Sequence, residues 1–254
     1  MKKILLTTLL TAAFATASTS YALVASDNGG NYVGGWTNGA NGGTGFGAWS
    51  IVANQGTGFA GNFIGDPSSA GISGMATNSF GLYANPDSSG ATVDAGRAFA
   101  SALSVGDTFS FQWGLNWDSD GSGNKGFNLY SGGLSGTQIL NINMGGTGTI
   151  SINSSPMFTN YGTSAFTLYF TIIDANTLGV YGTGRDGSES YTNNFDITGL
   201  SVDSFKFYAS NLGSGDNRQP YFNDLEVVPE PSTYVLLALS AAGMGGYVIR
   251  RRRR

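Results

Sequence analysis

Phe109-Ser110-Phe111-Gln112-Trp113-Gly114-Leu115-Asn116-Trp117 alternates without a break: every odd position is aromatic or aliphatic and every even one is small or polar. A period of two places successive side chains on opposite faces of a strand, so one face of this segment is apolar and the other polar. The same pattern returns in Leu140-Asn141-Ile142-Asn143-Met144, Ile150-Ser151-Ile152 and Phe166-Thr167-Leu168-Tyr169-Phe170-Thr171-Ile172. Phe205-Lys206-Phe207 and Leu225-Glu226-Val227 repeat it again near the end. Gly121-Ser122-Gly123-Asn124, Gly132-Gly133, Gly145-Gly146, Gly184-Arg185-Asp186-Gly187 and Gly213-Ser214-Gly215 separate these runs as turns. No segment between residues 23 and 228 sustains a period of 3.6. Many short strands with one apolar face each predict an all-β fold, an antiparallel β-sandwich of the jelly-roll kind. A β-solenoid is the competing architecture because 40 residues are glycine, but the chain shows no fixed repeat length.

The segment 27–75 is rich in glycine and asparagine, with Tyr32, Trp36, Phe46, Trp49, Ile51, Phe59, Phe63 and Ile64 spaced through it. Aromatics at that density predict strands joined by long glycine loops, and place the segment in the same domain.

Both ends of the chain differ from this middle. Lys2 and Lys3 precede an apolar run from Ile4 to Ala17, and Ser20-Tyr21-Ala22 puts small residues where a signal peptidase reads. Residues 1–22 are therefore expected to be a signal peptide, helical until it is cut after Ala22, that hands the chain to the Sec export machinery. At the other end, Ser232 to Ile249 carries no charge and is followed by Arg250, Arg251, Arg252, Arg253 and Arg254. A helix over this stretch would cover about 27 Å at ~1.5 Å per residue, close to the hydrocarbon thickness of a bilayer. The arginines act as a stop-transfer signal that holds this end in the cytoplasm. The expected domains are thus 1–22 signal peptide, 23–228 β-sandwich, and 229–254 tail with a transmembrane helix.

Val228-Pro229-Glu230-Pro231-Ser232-Thr233, the apolar stretch and the arginine cluster follow one another in that order. This arrangement resembles a PEP-CTERM sorting domain. The prolines bias the segment to an extended form that a membrane-embedded enzyme can grip. The resemblance implies that the partner is an exosortase acting near Pro229, Glu230 and Pro231, in a Gram-negative cell that makes exopolysaccharide. The inner membrane would then be a transient anchor on the way to the cell surface, outer membrane or extracellular matrix. The plainer reading is a tail anchor whose prolines form a linker.

Losing both ends changes the charge. Seven of the twelve lysines and arginines leave with them, while fifteen of the sixteen acidic residues stay, so residues 23–228 carry about −10. Such a domain has no nucleic acid among its expected partners. The chain has neither cysteine nor histidine. Disulfides, cysteine nucleophiles, Ser-His-Asp triads and histidine-ligated zinc are therefore excluded.

Phe80-Gly81-Leu82-Tyr83-Ala84-Asn85, Gly106-Asp107-Thr108-Phe109-Ser110-Phe111, Gly126-Phe127-Asn128-Leu129 and the closing Phe222-Asn223-Asp224-Leu225-Glu226-Val227 are similar to segments of lectin-like jelly-roll modules. Three chemistries compete for such a domain. Asp118, Asp120 and Ser122 offer oxygens at alternating positions before Gly123, like the start of a calcium loop. Leu129 then stands where a bidentate glutamate belongs, and a polar hairpin turn accounts for the same residues. Sugar binding needs exposed aromatic rings. Trp113 and Trp117 share the apolar phase of their strand, whereas Tyr169 lies on the polar face with Thr167 and Thr171. Glycoside hydrolysis needs two carboxyls across a cleft. Only Glu189 and Glu226 are glutamates within 23–228, and the aspartates form no paired signature. The residues thus predict a noncatalytic surface or matrix protein, with a structural role and exopolysaccharide binding both open, and a secreted polysaccharide-processing enzyme as the alternative.

Overall fold

The alternation around Phe109 becomes a strand whose inward residues Phe109, Phe111 and Trp113 are at most 1% exposed. The computed structural model describes residues 24–86, 90–116, 123–159, 162–184 and 186–229. In chain order the strands are β1 (Ala25–Asp27), β2 (Ser50–Asn54), β3 (Phe59–Gly65), β4 (Ser79–Asn85), β5 (Thr92–Ala98), β6 (Thr108–Gly114), β7 (Asn124–Ser131) and β8 (Thr137–Gly145). They continue as β9 (Ile150–Ile152), β10 (Ser155–Phe158), β11 (Phe166–Asp174), β12 (Thr177–Thr183), β13 (Ser190–Asp196), β14 (Ser204–Ser210) and β15 (Tyr221–Val228).

These strands form two sheets. One runs β13-β12-β11-β6-β15-β4-β3 with β1 added beside β15, and the other runs β10-β9-β8-β7-β14-β5-β2. Every strand pairing is antiparallel. The fold is an all-β antiparallel sandwich, as the two-residue period predicts. The signal helix and transmembrane helix expected at 1–22 and 232–249 lie outside the described residues.

The last strand is central to its sheet. β6 lies along one edge of β15, while β4 takes the first half of the other edge and β1 the second half. A bulge separates the halves: the register shifts between Asn223 and Glu226, and Asp224 has φ 49°. The extra residue lets two short strands share one long neighbour.

Between the sheets the core is dominated by phenylalanine. Phe207 of one sheet stacks on Phe222 of the other with ring centroids 3.7 Å apart, and Phe111 meets Phe127 at 4.6 Å. The glycine-rich start also enters this core, as Tyr32, Trp36, Phe46 and Trp49 are all buried. What fixes that segment is polar. Arg97, on the inward phase of β5 with Val93 and Ala95, is wholly buried and ion-paired with Asp27 of β1. Asp27 Oδ2 also accepts from the Tyr32 hydroxyl at 2.7 Å. Arg97 Nε donates to Gly47 O at 2.6 Å, Nη2 donates to Asn41 Oδ1 at 2.6 Å, and the guanidinium lies 5.1 Å from the Phe46 and Trp49 rings.

Asp27 and Arg97 belong to opposite sheets, so removing one charge strands the other in the core. Arg97→Met is expected to lower unfolding free energy by about 3–5 kcal/mol. Asp27→Leu/Arg97→Met should cost less than the two single changes together, and chemical denaturation of all four proteins measures the difference.

Candidate functional site

The outward faces of the two sheets differ in chemistry. On the first, Thr167, Tyr169 and Thr171 project from β11 beside Thr108, Ser110 and Gln112 of β6 on one side and Gly179 and Tyr181 of β12 on the other. Thr108 and Thr171 hydroxyls lie 2.8 Å apart. Tyr169 and Tyr181 face each other across the strands, 39% and 46% exposed, with ring centroids 5.8 Å apart and planes 34° apart. Tyr169 is thus at the surface, as its phase in the sequence implies, and pairing places Tyr181 beside it. Trp113 is in the core, so its strand phase and not its chemistry decided its place.

The other end of the same face is covered. Residues 66–76 fold over it, packing Ala70, Ile72 and Met75 around Tyr221 and Phe63. This needs glycine beneath. A Cβ at Gly114 would stand 2.5 Å from Met75 Sδ, and one at Gly81 would stand 2.3 Å from Phe63 Cζ.

The second sheet's outward face carries amides, tyrosines and the Lys206–Asp94 ion pair. Asn124 and Asn128 of β7, Asn141 and Asn143 of β8, and Lys206 and Tyr208 of β14 are outward neighbours by register. Asn141 Nδ2 donates to Asn128 Oδ1 at 2.7 Å and to the Tyr208 hydroxyl at 2.9 Å. The Tyr208 hydroxyl donates to Asn143 Oδ1 at 2.8 Å, and Asn143 Nδ2 donates to Asn124 Oδ1 at 3.0 Å. Asn128 Nδ2 donates to the Tyr130 hydroxyl at 3.1 Å. Lys206 Nζ lies 3.0 Å from Asp94 Oδ2 and 5.5 Å from the Tyr130 ring centroid. Burial works against the Lys206 charge, but the Asp94 bond and charge outweigh it and its pKa is raised. Sequence reasoning missed this face. The signal was present as asparagines at alternate positions of strands, where that residue is normally depleted.

Of the other expected positions, Asp118, Asp120 and Ser122 lie outside the described residues, as do Ala22, Glu230, Pro231, and Arg250 through Arg254. Among the described residues no group of three or more acidic side chains gathers as a metal site. Asp216 and Asn217 sit in a short 3-10 turn, and Lys125 Nζ donates to Arg218 O at 2.8 Å, tying that turn to the start of β7. Lys125 itself is wholly buried on the inward phase with Phe127 and Leu129. Among the described residues no helix is long and apolar enough to cross a membrane.

The chain end is continuous with the sheet. Val228, the last residue of β15, pairs with Thr108, and Val227 is buried and accepts from Val24 N at 2.9 Å. Pro229 follows with no intervening residue. A family profile described as the PEP-CTERM protein-sorting motif matches from Val227 to the end of the chain. Residues 227–254 are a PEP-CTERM sorting motif. Its first two residues are therefore strand residues of the sandwich.

No curated protein matches the chain in sequence. Several solved structures are similar to it at low identity. The Trypanosoma cruzi calreticulin globular domain, described as "T. cruzi calreticulin globular domain", is 9% identical, with 80% of this chain and 95% of that one covered at a TM-score of 0.45. The Emp47p carbohydrate recognition domain is 11% identical over 72% of this chain and 89% of that one, with a TM-score of 0.40. The botulinum neurotoxin serotype D ligand binding domain, solved with N-acetylneuraminic acid, is 16% identical over 67% and 43%, with a TM-score of 0.39. The chain spans less than half the length of the neurotoxin domains it matches.

Two tyrosines, Tyr32 in the core and the half-buried Tyr208, probe the polar networks directly. Burial, then the bond to Asp27 and its charge, pushes Tyr32 up to about 12, and burial does the same for Tyr208. Tyrosine in an unfolded chain ionises near ~10. Both groups therefore contribute stability that is complete below about pH 10 and lost as pH rises towards about 12. The melting temperature should fall across that window. Spectrophotometric titration should show the Tyr32 tyrosinate appearing only with unfolding, and its early, reversible ionisation in the folded protein would contradict the burial.

Proposed function

We propose that this is an exported surface or matrix protein, sorted by an exosortase at Pro229-Glu230-Pro231, whose sandwich binds carbohydrate and catalyses nothing. The observation that carries the sorting half is the PEP-CTERM motif running directly out of β15. In this reading the signal peptide delivers the chain to the Sec machinery and is removed after Ala22. The apolar stretch after Ser232 and the terminal arginines then hold the chain in the inner membrane while the exosortase works.

The carbohydrate half rests on Tyr169 and Tyr181. Two adjacent exposed rings among threonine and serine hydroxyls offer apolar faces for pyranose C–H groups and hydrogen-bonding partners for sugar hydroxyls. The domain's negative charge favours a neutral or calcium-rich polysaccharide over an anionic surface. A noncatalytic role fits the scarcity of glutamate and the absence of histidine and cysteine from the chain.

The mass of the protein recovered from cells tests the sorting. With the exosortase present, everything after the Pro-Glu-Pro region should be missing; without it, the tail should be intact. Replacing Pro229, Glu230 and Pro231 by alanine should give the intact mass even with the enzyme. Processing that continues in that variant would sink the proposal and leave a simple tail-anchored domain.

A further inference from the structure

We propose that the outward face of the second sheet is a glycan-binding strip for a neutral polysaccharide, separate from the Tyr169–Tyr181 pair. This rests on the carbohydrate reading above and adds a second site to it. The strip crosses β8, β7, β14 and β5, four neighbouring strands at about 4.8 Å spacing, and so runs roughly 14 Å across the sheet. That is long enough for a chain of sugars and not merely for one.

Its floor is the Tyr208 ring. Gly126 stands beneath it, where a Cβ would lie 2.4 Å from the Tyr208 hydroxyl and 2.6 Å from Cζ, so the ring lies down across the glycine and turns its other face outward. Asn141 and Asn143, both half-buried, flank the hydroxyl at 2.9 and 2.8 Å. Asn128 and Tyr130, 6% and 7% exposed, lie underneath as support. At one end Leu134, from the turn between β7 and β8, rests on Gly96, where a Cβ would be 2.7 Å from Leu134 Cδ2. The arrangement supplies an aromatic floor, a row of amides and an apolar end wall.

Two physical arguments separate this from an ordinary solvated surface. Asparagine is disfavoured in strands, and on the uncovered face of the first sheet β6 and β11 carry threonine and serine at positions 108, 110, 167 and 171, with an outward asparagine, Asn194, only on the edge strand β13. The second sheet places four asparagines at outward positions of two adjacent strands. A local preference broken repeatedly on one face of an otherwise consistent fold marks function more than stability. Amides also match hydroxyls in kind, since each donates and accepts. The ligand class follows from charge: among the described residues Lys206 is the one cation placed on the strip, and it is paired with Asp94. A uronate-rich chain would find no uncommitted positive charge there, in a domain of about −10.

The test uses the full chain purified in detergent, run in affinity gels containing barley β-glucan, galactomannan or alginate, with hydroxyl-radical footprinting of the unaltered protein. Retardation by a neutral glycan should survive in Tyr169→Ala/Tyr181→Ala and fall at least tenfold in Tyr208→Ala. Tyr208→Phe, which keeps the ring, should retain most of the binding and serves as the folding control. Footprinting should show glycan protection at Tyr208 and neighbouring strip residues without any substitution. If Tyr208→Ala binds like the parent, or protection is confined to Tyr169 and Tyr181, the strip is overturned while carbohydrate binding stands. If alginate binds and the neutral glycans do not, the ligand class is overturned. If no glycan retards the unaltered chain, the carbohydrate reading itself falls, and the strip with it.

Discussion

The ion pair between Asp27 and Arg97 joins β1 of one sheet to β5 of the other through the interior of the sandwich. An isolated charge in such an interior costs far more than a hydrogen bond returns, so each partner is tolerable only while the other is present. Burial accordingly pushes the Asp27 carboxyl up and the Arg97 guanidinium down from their usual pKa values, against the opposing pull of their own attraction. Around the pair, Tyr32, Asn41, Gly42, Gly47 and Trp49 complete the hydrogen bonding. These residues all come from the glycine-rich segment, which has little regular structure to hold it. The ion pair thus sets where that segment lies, and with it the tryptophans that fill one end of the core.

Packing elsewhere follows a second rule, in which glycine on one strand makes room for an aromatic or long side chain from the next. Phe63 lies over Gly81, Tyr83 over Gly61, and Tyr208 over Gly126. In each case the bare backbone lets a ring lie flat on the sheet, recovering buried area that a strand glycine would otherwise forfeit. The abundance of glycine therefore belongs to a sandwich and not to a repeating solenoid. Both proposed carbohydrate surfaces are products of this habit. One presents two tyrosines among hydroxyls, the other a tyrosine lying among amides. Sites on opposite faces of one sandwich would let a single molecule hold two polysaccharide chains, a multivalency suited to a matrix.

The sorting motif is joined to the fold with equal economy. β15 lies between β6 on one edge and β4 and β1 on the other, and the motif begins before that strand has ended. Among the described strands β1 pairs only with β15, so the first described strand finds its place only when the last one is present. Pairings of such wide sequence separation form late, because their loop-closure entropy is offset only when the whole sheet assembles. Completion of the sandwich and the start of the sorting motif thus fall on the same segment.

Periodicity alone was enough to establish the strands from Phe109, Leu140, Ile150, Phe166, Phe205 and Leu225, because a half-buried strand must alternate. Order along the chain was enough to reveal the sorting tail, which is a linear signal. The outward phase of Tyr169 was equally legible. Its partner Tyr181 was not, since register across a hairpin is set by the turn and the core together. Arg97 left a faint mark as a cation on the inward phase of Val93 and Ala95, but nothing in the chain names Asp27, seventy positions earlier, as its partner. The amide strip was hidden for the same reason: Asn128, Asn141 and Tyr208 are distant in sequence and become neighbours only through strand order. Sequence determined what each strand shows to either side, by local geometry; tertiary structure decided which of those faces meet, because pairing across a sandwich depends on the whole core closing at once.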